Sequence, residues 1–236
     1  MASLSSALNY ALAGLSVSTA QSNLVSRNIS SAGDENYTRK TAEIHILPGG
    51  LPSVSGVRRS TDRQVLDKLL LANSEASGRQ AALDALARIS ALAGDPQDEQ
   101  SIAAGIGQLQ QALRGYESNP ASPALGRTAL EAARTLTLRL NASAAEAASI
   151  RNGADSAMAA ATQRINNLLA QFKVVNDSIV RGQGTPGELA ENLDQRDSIL
   201  KLLSEDIGIR TATRPNNDVL IYAEGGAVLF EGTPRA

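Results

Sequence analysis

The first 26 residues of the chain contain no charged side chain, and the first charge to appear is Arg27. Within this stretch Leu4, Leu8, Leu12 and Leu15 recur at the spacing that places side chains on one face of an α-helix. The other positions carry mainly Ser, Ala, Asn and Gln, where a surface helix usually carries charges. Because small neutral side chains let helices approach closely without desolvating charge, the pattern predicts a helix that packs against other helices, inside or outside this chain.

The composition excludes several classes of function. Hydrophobic residues make up 42% of the 236 residues but aromatic residues only 3%, and the net charge is -2. A nucleic-acid-binding surface needs a basic excess and exposed rings for stacking, so we expect no nucleic-acid partner. The absence of cysteine excludes disulfides and thiolate metal sites. No apolar run approaches the roughly 20 residues that span a bilayer, so we expect no membrane insertion.

Long helical patterns dominate the middle of the chain. They predict helices that begin at Thr61-Asp62, near Ile102 and at Ser122-Pro123, and a short amphipathic helix over residues 189–203. Gly94-Asp95-Pro96 is expected to end the first of them, and Gly153 to form a weak point in the longest. A pattern this long without strong caps is typical of a bundle or coiled coil. The sequence therefore predicts a mainly α fold, an elongated bundle of long helices.

Two regions of alternating residues predict short strands. The first follows the N-terminal helix over residues 41–46, and the second lies between Ile207 and Phe230. We therefore divide the chain into an N-terminal helix with an extended segment over residues 1–60, a helical rod domain over residues 61–206, and a β element over residues 207–236.

Two short motifs, far apart in the chain, resemble one family of proteins. Ser26-Arg27-Asn28-Ile29-Ser30 is followed by Asn36-Tyr37-Thr38-Arg39, and residues 192–197 read Asn-Leu-Asp-Gln-Arg-Asp. The chain resembles the bacterial flagellar axial proteins, in which a Ser-x-Asn-Ile element precedes a Gly-Tyr-x-Arg turn. Among them it is most similar to the hook-associated proteins, which share the Leu-Asp-Gln-Arg-Asp run. Asn36 replaces the usual glycine, and we expect the turn to survive because asparagine tolerates positive φ.

The resemblance implies a structural component of the bacterial flagellum, an adaptor at the hook-filament junction that assembles through packing of its N-terminal helix. It implies other copies of the chain, the hook protein and the second hook-filament junction protein as partners. It also implies an extracellular location that is reached through the flagellar type III export apparatus. In such proteins the β element begins an outer domain and a C-terminal segment returns, so we expect a fragment or a naturally short member.

The candidate site residues come from the N-terminal helix and from the first motif. We expect no catalytic residues, no metal site and no cofactor. The expected assembly interface is Leu4, Leu8, Leu12, Leu15, Leu24, Asn28 and Ile29, and the expected motif turn is Asn36, Tyr37 and Arg39. We predict that the Tyr37 ring packs where the N-terminal helix meets the following strand, with Arg39 pairing nearby.

Other polar residues and glycines have simple structural explanations. His45 is the single histidine, with no cysteine or second histidine to share a metal or activate a nucleophile, and we expect it to face solvent. Asp194 and Asp197 flank Arg196, and we expect these charges on the exposed face of a short helix. Gly105-Ile106-Gly107 is explained better by helix packing than by phosphate binding, since no strand precedes it.

An alternative from another class is a helical-bundle sensory or adaptor module that binds a small ligand or a partner protein. It shares the long Ala- and Leu-rich helices. It would need flanking membrane helices or a pocket with converging polar groups, and the sequence shows neither. A monomeric bundle, with the N-terminal helix in its own core, is the structural alternative to assembly.

Overall fold

The computed structural model describes residues 2–94, 98–182 and 184–234. The helices are α1 (Ala2–Ser30), α2 (Arg63–Ala93), α3 (Ile102–Ser118), α4 (Pro123–Arg181) and α5 (Pro186–Asp206). The strands are β1 (Lys40–Ile46), β2 (Pro52–Arg59), β3 (Ile209–Thr213), β4 (Val219–Ala223) and β5 (Val228–Phe230). The fold is therefore mainly α, as the hydrophobic periodicity predicts. No helix within these described ranges is both long enough and apolar enough to cross a membrane.

The helix ends carry recognisable capping signals. Ser101 Oγ accepts from Ala104 N at 3.0 Å at the start of α3, and Thr185 and Glu188 form a capping box at the start of α5. The helix α2 ends at Ala93, followed by Gly94 at a φ of 69°. Asp95 and Pro96, which belong to the predicted stop signal, lie outside the described residues.

The helix α4 runs without interruption for 59 residues. The weak point that the sequence suggests at Gly153 is not seen as a break in the helix. An interior glycine costs only about 1 kcal/mol relative to alanine, which is small against the hydrogen bonds and packing of a helix of this length.

The chain forms two compact units, one made of Met1–Ser77 with Gln163–Ala236 and the other of Gly78–Thr162. These units divide α2 and α4 internally, and the domain boundaries near residues 60 and 206 stay a prediction from the sequence. In the second unit α3 approaches α4 closely at Gly105, where a Cβ would lie 3.1 Å from Arg139 Nη1 and 3.3 Å from Leu136 Cδ1. Helix packing therefore explains Gly105, as predicted.

The first unit has one main hydrophobic core. Phe172 of α4 and Phe230 of β5 meet edge to face, with their ring centroids 4.9 Å apart. The strands pair antiparallel in the order β3-β4-β5. The buried members of the core are Leu70, Leu169, Phe172, Val175, Ile179, Ile199, Leu200, Leu203, Ile209, Val219, Ile221 and Phe230. The C-terminal β element therefore shares a core with the helices of this unit.

The strands β1 and β2 form an antiparallel hairpin that contacts both α1 and α5. The Tyr10 hydroxyl of α1 donates to the carbonyl oxygen of Gly49 in the hairpin turn. The face of α1 that is buried or half-buried carries Ala13, Val17, Ala20, Leu24 and Asn28. These residues are three or four positions apart, so one continuous stripe of α1 is covered by the hairpin.

Candidate functional site

A second apolar stripe of α1 faces away from the hairpin. We call it the leucine stripe, and it consists of Leu4, Leu8, Leu12, Leu15 and Ile29. Leu8 is 59% exposed and Leu15 is 64% exposed, whereas Val17 is 8% exposed. Val17 lies nine positions after Leu8, which is about two and a half turns of helix, so the two side chains point in opposite directions. The helix therefore has one apolar face covered within the chain and one uncovered.

The structure divides the seven predicted interface residues between these two faces. The five members of the leucine stripe are exposed, whereas Leu24 and Asn28 are half-buried on the face toward the hairpin. Leu24 and Asn28 therefore hold α1 to its own chain. The sequence could not separate the two groups, because neither face of α1 carries a charge before Arg27.

Asn28 ties the end of α1 to the start of β1. Its Nδ2 donates to the Lys40 carbonyl oxygen at 2.8 Å, and its Oδ1 accepts from Lys40 N at 2.9 Å. The Tyr37 hydroxyl donates to the same Oδ1 at 2.9 Å, and Lys40 Nζ lies 3.7 Å from the centroid of the Tyr37 ring. This arrangement needs a donor and an acceptor on one short side chain, which a carboxamide supplies.

The motif turn is closed by Asp34. Its Oδ1 accepts from Asn36 N at 2.8 Å, and its carbonyl oxygen accepts from Tyr37 N at 3.1 Å. Among the described non-glycine residues, a positive φ occurs only at Asn216 and Asn217, so Asn36 does not have one. The turn therefore forms with Asn36 in place of glycine, but the reason given for it, a positive φ at Asn36, is wrong. Arg39 is exposed, and the ion pairs at this corner are made by other residues.

Asp194 of α5 binds three side chains that come from the N-terminal segment. It accepts hydrogen bonds from Thr38 Oγ1 and Lys40 Nζ, and from Arg59 Nε at 2.7 Å. Arg59 Nη2 also pairs with Asp197. We call this cluster the motif junction, and its members are Asn28, Tyr37, Thr38, Lys40, Arg59, Asp194 and Asp197. The two motifs that lie far apart in the sequence therefore meet in one polar cluster.

The prediction that Asp194, Arg196 and Asp197 lie on an exposed helix face is wrong. Asp194 and Arg196 are buried, and Asp197 is half-buried. The helix α5 is covered by the core on one side and by the hairpin on another, and the hairpin lies more than 100 residues earlier in the chain. The periodicity of α5 alone contains no information about that second contact.

Sequence reasoning missed Lys40 and Arg59, although the hairpin contains a signal for them. The register of the hairpin places Lys40 directly opposite Arg59. Like charges at opposed positions of a strand pair destabilise the pair unless an anion compensates them. Asp194 is that anion, since it binds both cations.

The surroundings of Asp194 favour its charged form. Burial alone would raise the pKa of this carboxyl, but the hydrogen bonds from Lys40 and Thr38 and the charge of Arg59 outweigh burial and hold the pKa below its ordinary value. A carboxylate of this kind contributes stability that is fully present above its unfolded-state pKa of about 3.9. That contribution is lost as the pH falls through the lower folded-state pKa.

We therefore expect the motif junction to weaken in acid. Below about pH 5, where the carboxyl of the unfolded chain begins to take up protons, the free energy of unfolding of the wild-type chain should fall more steeply with decreasing pH than that of the Asp194→Asn variant, because the other carboxylates are common to both proteins. Urea unfolding at a series of pH values measures the difference. Parallel curves for the two proteins would show that Asp194 does not carry this dependence.

No group of three or more His, Asp or Glu side chains that could hold a metal ion occurs in the described part of the chain. His45 is exposed, as predicted, and its Nδ1 lies 3.2 Å from Ser55 Oγ. The carboxylates of the motif junction are already bound by cations. The cluster is therefore suited to holding α1 and the hairpin against α5.

Comparison with known proteins identifies flagellar hook-associated proteins as relatives of the chain. The chain is 25% identical to flagellar hook-associated protein 1 of Salmonella typhimurium and 26% identical to that of Escherichia coli K12, in each case over 98% of this chain. It spans 43% and 44% of the length of these relatives. The solved structure of the flagellar hook junction protein FlgK from Burkholderia pseudomallei matches 70% of this chain and 29% of that protein, with a TM-score of 0.64 and 24% identity. That structural likeness supports the fold alone.

The family match covers the longest helix, α4, and the β element. Residues 86–236 match the family model of the flagellar hook-associated protein FlgK helical domain. This is more than half of the chain, and the match includes α3, α4 and α5 in full. The chain therefore belongs to the family of the flagellar hook-associated protein FlgK helical domain.

Proposed function

We propose that the chain is a structural component of the bacterial flagellum, an adaptor at the hook-filament junction. The observation that carries this proposal is the leucine stripe, which lies uncovered on a helix without a charge before Arg27. Burying one Leu or Ile side chain contributes roughly 1.5–3 kcal/mol, so covering the stripe would stabilise an assembly considerably. The sequence relatives are named flagellar hook-associated protein 1, which agrees with this role.

The motif junction supports the proposal in a second way. It holds the C-terminal end of α1, which we call the base of α1, to the hairpin and to α5 through buried charges, and this fixes the direction of α1 and of its leucine stripe within the first unit. A helix that presents an apolar face to neighbours binds better when its direction is already set, because less conformational freedom is lost on assembly. Asn36, Tyr37 and Arg39 border this base.

The proposed partners are other copies of the chain, the hook protein, the second hook-filament junction protein and the flagellar export apparatus. The proposed location is extracellular, after export by the flagellar type III apparatus. The role is mechanical, with no catalysis, no cofactor, no nucleic acid and no membrane insertion. The alternative of a sensory or adaptor module is not favoured, since the family and the relatives are flagellar.

Immunogold electron microscopy tests the location. Antibodies raised against the purified chain should label a short zone where the hook meets the filament, in the bacterium that encodes the chain. A strain from which the gene is deleted provides the control for antibody specificity. Labelling along the whole filament, or only inside the cell, would contradict the proposed position.

Tyr37→Ala should weaken incorporation into the flagellum more than it weakens folding. The substitution removes the hydrogen bond to Asn28 and the ring beneath Lys40 Nζ, two contacts worth about 1 kcal/mol each. Tyr37→Phe keeps the ring and should show a smaller loss. The measurements are the amount of chain in purified flagella and the melting temperature of the purified chain. Normal assembly of the alanine variant would remove Tyr37 from the site.

A further inference from the structure

Arg196 is a buried cation without a carboxylate in hydrogen-bond contact. It is 3% exposed, and its Nη1 donates to Asn176 Oδ1 at 3.2 Å and to the Asn217 carbonyl oxygen at 2.5 Å. Its Nε has no hydrogen-bond partner among the described residues. Burial lowers the pKa of Arg196 to about 10, so the guanidinium is still charged at neutral pH. The carboxylates of Asp197 and Asp218 act on this guanidinium through their charge, but its hydrogen bonds go to neutral oxygens, so its burial is only partly compensated.

Arg196 lines a cavity of about 350 Å³ between the motif turn, the start of α2 and α5. We call it the arginine groove. Its other charged lining residues are Arg59, Asp62, Arg63, Asp197 and Lys201. The volume lies within the range of small-ligand sites, and the cations outnumber the carboxylates.

Most charges of the arginine groove already have partners. Arg59 is bound by Asp194 and Asp197, and Asp62 Oδ1 caps α2 by accepting from Gln64 N at 2.8 Å. Arg63 Nε lies 3.9 Å from Asp67 Oδ1, and Arg63 Nη2 donates to Thr211 Oγ1 at 3.1 Å.

Lys201 resembles Arg196 in its partners. It donates to the Glu35 carbonyl oxygen at 3.1 Å and to Asn36 Oδ1 at 3.3 Å, both of which are neutral. Two cations of the groove, Arg196 and Lys201, are therefore held by neutral oxygens within the described part of the chain.

We propose that the arginine groove binds a small oxyanion with two negative charges, of the phosphate or dicarboxylate class. A guanidinium and an ammonium that line one cavity, each without a bound carboxylate, provide the donors and the charge that such an anion needs. The anion is bound by Lys201 of α5, which also contacts the motif turn at Glu35 and Asn36. Its negative charge compensates the buried charge of Arg196. Anion binding in the groove is a property of the single chain and does not depend on the flagellar role.

Isothermal titration of inorganic phosphate into the full chain, against sodium chloride of matched ionic strength, tests the proposal. We expect saturable binding at one site, and succinate should compete for it. Lys201→Gln should weaken the binding about tenfold, since it removes one charge-assisted hydrogen bond. Lys68→Gln is the matched control, because it removes the same charge from a lysine that does not line the groove.

The Arg196 Nε–H resonance gives a readout that does not require an Arg196 variant to fold. Phosphate should shift this resonance in the wild-type chain, with the same concentration dependence as the heat of binding. A response that does not saturate, or one equally strong in Lys201→Gln and the wild type, would overturn the proposal. An Arg196 resonance that is unchanged at saturating phosphate would also overturn it.

Discussion

Replacing Asp194 with asparagine should lower the free energy of unfolding of the first unit by about 3–5 kcal/mol. The substitution leaves the ammonium of Lys40, which is 2% exposed, with the Thr38 carbonyl oxygen and the Tyr37 ring but without a carboxylate, and it removes one of the two carboxylates that bind Arg59. Three of the four tyrosines lie in this unit and the chain has no tryptophan, so tyrosine fluorescence during urea unfolding reports mainly on it.

Glu191→Gln provides the matched control on the same helix. Glu191 pairs with Arg27, but both side chains are more than half exposed. Exposed ion pairs contribute about 0–1 kcal/mol, so this variant should unfold close to the wild type. If both variants unfold at the same urea concentration as the wild type, the motif junction does not stabilise the chain and the argument for a fixed base of α1 fails.

The helices and the strand β1 were predictable because the sequence signals that specify them are local. Ser122 and Pro123 mark the start of α4, the alternation of residues 41–46 marks β1, and the stripe of Leu4, Leu8, Leu12 and Leu15 marks α1. Each signal lies within a few residues of the feature that it specifies. Gly153 shows the limit of such reasoning, because tertiary packing and helix length outweigh the propensity of one residue.

The motif junction could not be predicted from local patterns. Asp194 and Lys40 are separated by 154 positions, and the contact depends on how the hairpin meets α5. The two motifs are visible in the sequence, but their separate patterns do not say that they touch. The opposition of Lys40 and Arg59 is the one physical signal that calls for an external anion, and it requires the hairpin register first.

The division of α1 into two faces also depends on where the hairpin packs, which local sequence patterns do not show. Leu24 and Asn28 are as uncharged as the leucine stripe, so composition does not distinguish them. Only the hairpin, which packs on one side, makes Val17 an internal residue and leaves Leu8 exposed. This difference allows a test in which the same substitution has opposite consequences on the two faces.

Leu8→Asp and Leu15→Asp should abolish attached filaments and swimming while leaving the purified chain as stable as the wild type. In the single chain both side chains are largely exposed, and surface substitutions usually change stability by less than about 0.5 kcal/mol. In the proposed assembly each aspartate would be buried without a partner, at a cost of several kcal/mol. Soft-agar motility, electron microscopy of the cell surface and thermal unfolding of the purified chain measure the two effects separately.

Val17→Asp is the matched control on the opposite face of α1. It introduces the same charge where the hairpin covers the helix, so it should lower the melting temperature of the purified chain, unlike the two leucine variants. A strong loss of stability in Leu8→Asp and Leu15→Asp would show that the leucine stripe belongs to the core of its own chain. Normal swimming with both leucine variants would exclude the stripe from the assembly interface, because a buried unpaired charge is incompatible with tight helix packing.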